Sequence, residues 1–298
     1  MTVQREDAVA RHRRSHLADL VRNISYEVMP FKNTERDVLH SVPTEVPLTV
    51  TVTEAKGIDH TLDLTERLAR HGYVVSPHLP ARQFMDEHHV ADVVARLKQS
   101  QIRSVFVIGG DAPKPAGAFE DAYSLLRALE ENQHPFEAVG IGGYPEGHAA
   151  IPQDALELAL KQKAPLATRV LTQICFDATT TADWAAGIAR AGVELPVYVG
   201  MPGPVNRQKL MRISAGIGLG QSARFLQKQQ SLLWRFLLPG GYNPTKLAKR
   251  LGTAVQKTNG NIRGLHIFTF NELRQTELWR QHLLSAVSAQ TSERDDRS

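Results

Sequence analysis

A single cysteine, Cys175, occurs in the 298 residues, so no disulfide can form within the chain and a reducing compartment is expected. It sits in the apolar run LTQICFD, which points to a buried, inert thiol rather than a nucleophile. No hydrophobic run reaches the ~20 residues that cross a bilayer, and the N-terminus lacks the apolar stretch of a secretory signal. A cytoplasmic protein with no membrane partner is therefore expected. Neither sign of charge dominates: 35 Lys and Arg stand against 31 Asp and Glu, and part of the basic excess sits in RHRRSH near the N-terminus. Aromatics are only 6% of the chain and do not interleave with a basic stripe, so nucleic acid is not an expected partner. His88 and His89 are adjacent rather than four apart on a helix face, so no metal site is expected there.

What the chain does have is repetition. Eight β-branched or apolar runs recur: Ile24–Met29, Leu48–Thr53, Tyr73–Pro77, Ser104–Ile108, Ala138–Ile141, Val170–Phe176, Pro196–Val199 and Gly264–Phe270. Stretches of helical periodicity separate them, among them GIDHTLDLTERLARHG, DEHHVADVVARLKQS and TTADWAAGIARAG. Strand and helix in strict alternation imply parallel strands with crossover helices. Eight such units in under 300 residues fit a closed (β/α)8 TIM barrel, class α/β, better than an open sheet. The long gap between the seventh and eighth runs holds NRQKLMRIS, GQSARFLQKQQSLLWRFLL and PTKLAKRLGTAVQKT, read as extra helices. No linker divides the chain, so one domain over 1–298 is expected, with an N-terminal helix over 1–20 and a flexible tail over 286–298. GIGLGQ lacks the acidic residue of a dinucleotide fingerprint and is read as loop, and SLLWRFLLPGG as a packing or oligomer surface.

In barrels of this kind the active site forms at the C-terminal strand ends. Those ends carry Glu27, Thr51 and Glu54, His78, Asp111, Tyr144 and His148, Gln173 and Asp177, and Asn271. Most have an ordinary structural reading as well: Thr51 as a strand residue, Asp177 and Asn271 as helix caps. For Glu27 that reading is weakest, because a carboxylate inside an apolar strand must be paired or neutralised. Burial would raise its pKa and make it a general acid near neutral pH, with Asp111 as an ionised partner at the same mouth. The Gly-rich loops GGDAPKPAG and GIGGYPEGH would let a flat or phosphate-bearing ligand approach the backbone.

The segments YEVMPFK, VTVTEAKG, SPHLPAR, VIGGDAP, GGYPEGH, LTQICFD and HIFTFNE, in this order, resemble the methylenetetrahydrofolate reductase family, over Ile24 to Leu284. The short length resembles the bacterial single-domain form. The resemblance implies a TIM barrel that interconverts 5,10-methylenetetrahydrofolate and 5-methyltetrahydrofolate with NADH or NADPH, normally through FAD, in methionine biosynthesis. It implies that Glu27 is the acid that opens the folate ring, that Asp111 stands near flavin and pterin, and that Gln173 holds folate and nicotinamide in turn. Thr51, His78, Gly110, Tyr144 and His148 fall on cofactor-binding positions.

The chain also departs from the family. Gly109 replaces the arginine before the Gly-Asp pair, and Ala155, Leu158, Lys161 and Gln162 fall where an Asp, an Asn and two basic residues usually meet the flavin. Pro30 and Phe31 stand for paired prolines, and Pro80 for a threonine. Losing several charge-assisted contacts of about 1.5–3 kcal/mol each predicts weak FAD binding or none, with hydride passing directly from NAD(P)H. A catalytically silent folate-binding partner protein is the alternative; keeping Glu27, Asp111 and Gln173 together argues against it. A barrel lyase or aldolase is a third, but no strand end carries a Schiff-base lysine: Lys32 lies beyond Pro30 and Lys114 is in a loop. A tetrahydrofolate substrate and a homo-oligomer are the expected associations.

Overall fold

The computed structural model describes residues 16–52, 56–148, 150–205, 243–255 and 261–295. Its strands are β1 (Ile24–Val28), β2 (Leu48–Val50), β3 (Val75–Pro80), β4 (Ser104–Ile108), β5 (Ala138–Gly143), β6 (Arg169–Thr172), β7 (Val197–Pro202) and β8 (Ile262–Phe268). Its helices are α1 (16–22), α2 (Thr34–Ser41), α3 (Gly57–Arg70), α4 (Glu87–Gln99), α5 (Ala122–Glu131), α6 (Gln153–Lys163), α7 (Ala178–Arg190), α8 (Pro244–Ala254) and α9 (Leu273–Asp295). The strands pair in sequence order, all parallel, and β8 closes on β1: a TIM barrel.

Local chemistry explains the elements. In α3 the buried Ile58, Thr61, Leu62, Thr65 and Leu68 fall at helical spacing and cover the sheet. Three helices begin on aspartates whose side chains accept a backbone N–H three residues on: Asp86 from His89, Asp121 from Ser124 and Asp177 from Thr180. The cap expected of Asp177 is therefore seen. On β1 the alternation sends Tyr26 and Val28 out to the helices and leaves Ser25 and Glu27 facing inward.

Strand bounds differ from expectation at two ends that matter. β3 runs three residues further, to Pro80, which moves His78 from beyond the strand into it. β6 stops at Thr172 instead of continuing to Phe176. There a hydroxyl takes the place of a backbone acceptor: Gly200 N–H donates to Thr172 Oγ1 at 2.8 Å, and Thr172 Oγ1 donates to the Gln173 carbonyl at 2.9 Å. Gly200 is required for this approach, since a Cβ there would lie 2.2 Å from the Thr172 carbonyl oxygen.

Between β7 and β8, α8 matches one of the expected extra helices. The other two stretches, with Glu54, GIGLGQ and SLLWRFLLPGG, lie outside the described residues. α9 continues to Asp295, through most of the stretch expected to fray. Among the described residues no helix is long and apolar enough to cross a membrane.

Candidate active site

The interior of this barrel is polar. Arg169 on β6 donates to Ser76 at 3.0 Å and to Ser104 at 2.8 Å, and those two hydroxyls lie 2.6 Å apart. Strands β3 and β6 are not neighbours, so this contact can only cross the lumen. The arrangement satisfies one edge of a buried guanidinium and forms a floor. Its nitrogen Nε has no hydrogen-bond partner, and burial lowers the Arg169 pKa.

Two residues beyond Ser76 on β3, and thus one pleat nearer the C-terminal mouth, His78 meets Glu27 of β1. His78 Nε2 lies 3.6 Å from Glu27 Oε2, again across non-adjacent strands. From the other flank, His266 of β8 brings its Nε2 to 3.9 Å of the same oxygen. Both imidazoles are buried, and neither Nε2 has a hydrogen-bond partner. His78 packs edge-on against Phe106, with ring centroids 4.7 Å apart, and His266 Nδ1 is 2.8 Å from Ser25 Oγ.

Electrostatics follow from this burial. Desolvation raises the Glu27 pKa, and the nearby His78 only partly offsets it. Desolvation also pushes His78 down to about 4, opposed by Glu27 and aided by His266. His266 falls to about 3, through burial and then the positive charge of Arg169. Burial thus disfavours the charged form of all three groups, the carboxyl and the two imidazoles alike. A protonated imidazole there would pull the proton off Glu27; the floor arginine works against that.

The backbone around Glu27 is held from β8. Thr269 Oγ1 donates to the Glu27 carbonyl at 2.6 Å, while Asn271 accepts from Met29 N–H at 2.9 Å and donates to the Met29 carbonyl at 3.0 Å. Asn271 also reaches Thr34 Oγ1 at 2.8 Å, so it serves as a clamp on β1 in place of the helix cap expected of it. Phe270 and Asn271 adopt φ of 49° and 57°, the left-handed region that side chains seldom occupy, which marks this turn as a strained junction.

The remaining predicted residues fall around the rim. Asp111 lies on the loop after β4, exposed, and its charge is the second cause, after burial, of a raised Tyr144 pKa. That loop is held by Arg82, which donates to the carbonyls of Ala112 and Glu120 at 2.9 Å each. Gly110 beneath it has φ of 85°, and a Cβ there would come 2.8 Å from Pro80 Cβ. The ring of Tyr144 meets His148 edge-on at 5.3 Å. Thr51 accepts at its carbonyl from Thr61 Oγ1 at 2.9 Å. Gln173 turns its amide oxygen onto the Ile174 N–H at 2.9 Å. Cys175 is buried and its thiol is pushed up to about 12 by burial, an inert group as expected.

His78 therefore does more than the cofactor contact that its motif implies; it flanks the acid. Sequence reading passed over Ser25, Arg169, Thr269 and His266. The signal for His266 was present: one polar residue within the apolar run GLHIF, the same anomaly that singled out Glu27. Glu146 was also missed. It ties the loops after β5 and β6 by accepting from Phe176 N–H at 2.6 Å and Asp177 N–H at 2.8 Å.

On α6, the positions Ala155, Leu158, Lys161 and Gln162 are all exposed, Leu158 by 58%. These are the positions that the family resemblance aligns with flavin contacts.

Comparison with known proteins identifies a family. The family model described as Methylenetetrahydrofolate reductase matches residues 12–218. The chain is 25% identical over 123 residues to Methylenetetrahydrofolate reductase 2 of Saccharomyces cerevisiae, covering 38% of this chain and 20% of that protein. It is 28% identical over 138 residues to the Probable methylenetetrahydrofolate reductase (NADPH) of Caenorhabditis elegans, covering 43% and 21%. The match thus spans about a fifth of the length of these curated relatives. Among solved structures, a candidate phosphonomutase of Burkholderia cenocepacia J2315 superposes with a TM-score of 0.50 at 11% identity, over 93% of this chain and 96% of that one. That likeness concerns the barrel alone.

Proposed function

The chain belongs to the methylenetetrahydrofolate reductase family, and from that premise we propose that it interconverts 5,10-methylenetetrahydrofolate and 5-methyltetrahydrofolate, with NADH or NADPH as co-substrate and Glu27 as general acid. One observation carries the reading: a buried carboxyl group near the end of β1 whose pKa is raised by burial, with its Oε2 3.6 and 3.9 Å from the Nε2 atoms of two buried imidazoles. The departing nitrogen of the folate ring leaves only when protonated. Glu27 gives it that proton, the bond to the methylene carbon breaks, and an iminium remains on the substrate. Asp111 stabilises that cation from the rim. Gln173, which can donate and accept, suits the pterin edge once its amide turns from Ile174. The two-electron reduction of the iminium carbon is what NAD(P)H supplies when bound.

The exposed face of α6 does not fit FAD, because its ribityl chain and phosphates would find Ala155, Leu158 and Gln162 in place of charged partners. The proposed reaction therefore runs without a flavin. The test is an absorption spectrum of protein purified without added cofactor, with NADH-dependent and NADPH-dependent turnover measured on the same sample. Colourless protein whose turnover is unchanged by added FAD is the expected result. Stoichiometric flavin would overturn the flavin-free part. Colourless, inactive protein that still binds folate would replace the enzyme by the silent folate-binding partner.

A further inference from the structure

We propose that His266, oriented by Ser25, is a positioning residue for the Glu27 acid, supplying an uncharged hydrogen-bond donor that meets the carboxylate as its proton leaves. The inference rests on the reading of Glu27 as general acid.

A buried polar atom without a partner is rare, and two aimed at one oxygen call for a reason. His266 is 1% exposed, and its Nε2 is unpartnered 3.9 Å from Glu27 Oε2. Its other nitrogen has an assigned neighbour, Ser25 Oγ at 2.8 Å. When the serine hydroxyl donates to Nδ1, the imidazole proton resides on Nε2, directed at Glu27. A neutral carboxyl at 3.9 Å gains little from it; a carboxylate gains a charge-assisted bond once the gap closes by about 1 Å, a shift within reach of a glutamate side chain.

The charge state of the donor matters as much as its position. Glu27 is faced by His78 from β3 and His266 from β8, and His266 in turn faces Arg169 from β6. That cation opposes protonation of His266, so the imidazole can stabilise the conjugate base without ionising the acid beforehand. A lysine or arginine in its place would leave Glu27 charged at rest and without a proton to give.

His266→Phe keeps a ring of similar size and removes both nitrogens, whereas His266→Gln can return an amide N–H near the Nε2 position. With His266→Phe, kcat is expected to fall about 10- to 100-fold while KM and folate affinity change by less than about twofold. The alkaline limb of kcat should move to higher pH, because a carboxylate that loses a donor holds its proton more tightly. His266→Gln should recover most of the rate and return the limb. An unmoved limb in His266→Phe, or a Gln variant no better than Phe, would overturn the proposal. If His266→Phe fails to fold by circular dichroism, Ser25→Ala reads the same limb, with a smaller shift of the same sign expected and no shift overturning the idea. A Glu27→Gln variant with full turnover would mean instead that the acid itself is misassigned. The infrared carboxyl stretch that disappears in Glu27→Gln reports the coupling independently of turnover. It should titrate at higher pH in His266→Phe than in the parent protein, and identical titrations would sink the proposal.

Discussion

Glu27 can act as an acid only while it is uncharged, and its surroundings favour that form: burial raises its pKa, and it also pushes down the pKa of each of the two imidazoles beside it. Glu27→Gln is expected to lower kcat by about 100-fold or more, the usual worth of a positioned acid, while folate binding persists; equilibrium binding beside steady-state kinetics checks both. The pH dependence has a definite sign. Folate reduction requires the protonated form, and burial raises the Glu27 pKa, so the rate holds at low pH and falls as pH rises through that raised value. The limb should be absent from any residual activity of Glu27→Gln.

At the scale of elements, β1 is fixed at both faces. Inward and at its end it is clamped by Thr269 and Asn271 from the turn after β8. Outward, Tyr26 donates to Glu277 of α9 at 2.8 Å, and Arg280 holds the same carboxylate through two bonds at 2.9 and 2.7 Å. Tyr26, Glu277 and Arg280 are all buried, and burial, followed by the charge of Glu277, raises the Tyr26 pKa. Removing one partner of a buried pair leaves the other uncompensated. Glu277→Ala should therefore cost about 3–5 kcal/mol of stability, and Tyr26→Phe only about 1 kcal/mol, as read by urea unfolding. These strand ends also show the limit of pattern reading. Apolar runs located all eight strands, but the stop of β6 at Thr172 depends on a hydroxyl entering the ladder of β7, and no count of apolar residues along one strand contains its neighbour.

For the whole molecule, the buried trio couples stability to pH with opposing signs. His78 and His266 have folded pKa values near 4 and 3, below the ordinary 6.5, so the unfolded chain takes up protons first and stability is lost as pH falls below about 6.5. Between pH 7 and pH 5 each histidine contributes a loss of roughly 2 kcal/mol. Glu27 acts in reverse: its raised pKa favours the folded state as pH falls toward the unfolded value of 4.5. Glu27→Gln should therefore lose stability more steeply than the parent protein from pH 7 to pH 5, and His266→Gln less steeply. Urea midpoints at the two pH values measure this. Equal slopes in all three proteins would mean that the trio does not titrate as a buried unit.

The sequence by itself determined the architecture and singled out Glu27. Alternating strand and helix patterns admit few closed arrangements, and a carboxylate within an apolar strand is costly wherever that strand lies, so both facts are local and legible. The company that Glu27 keeps was decided only by tertiary structure. His78 lies 51 positions along the chain from Glu27 by their numbers, and His266 and Arg169 are farther still. They meet because barrel closure sets β8 beside β1 and because strand stagger brings inward side chains of β3 and β6 into one lumen. The low pKa values of the two imidazoles are likewise a product of shared burial, which no residue carries alone.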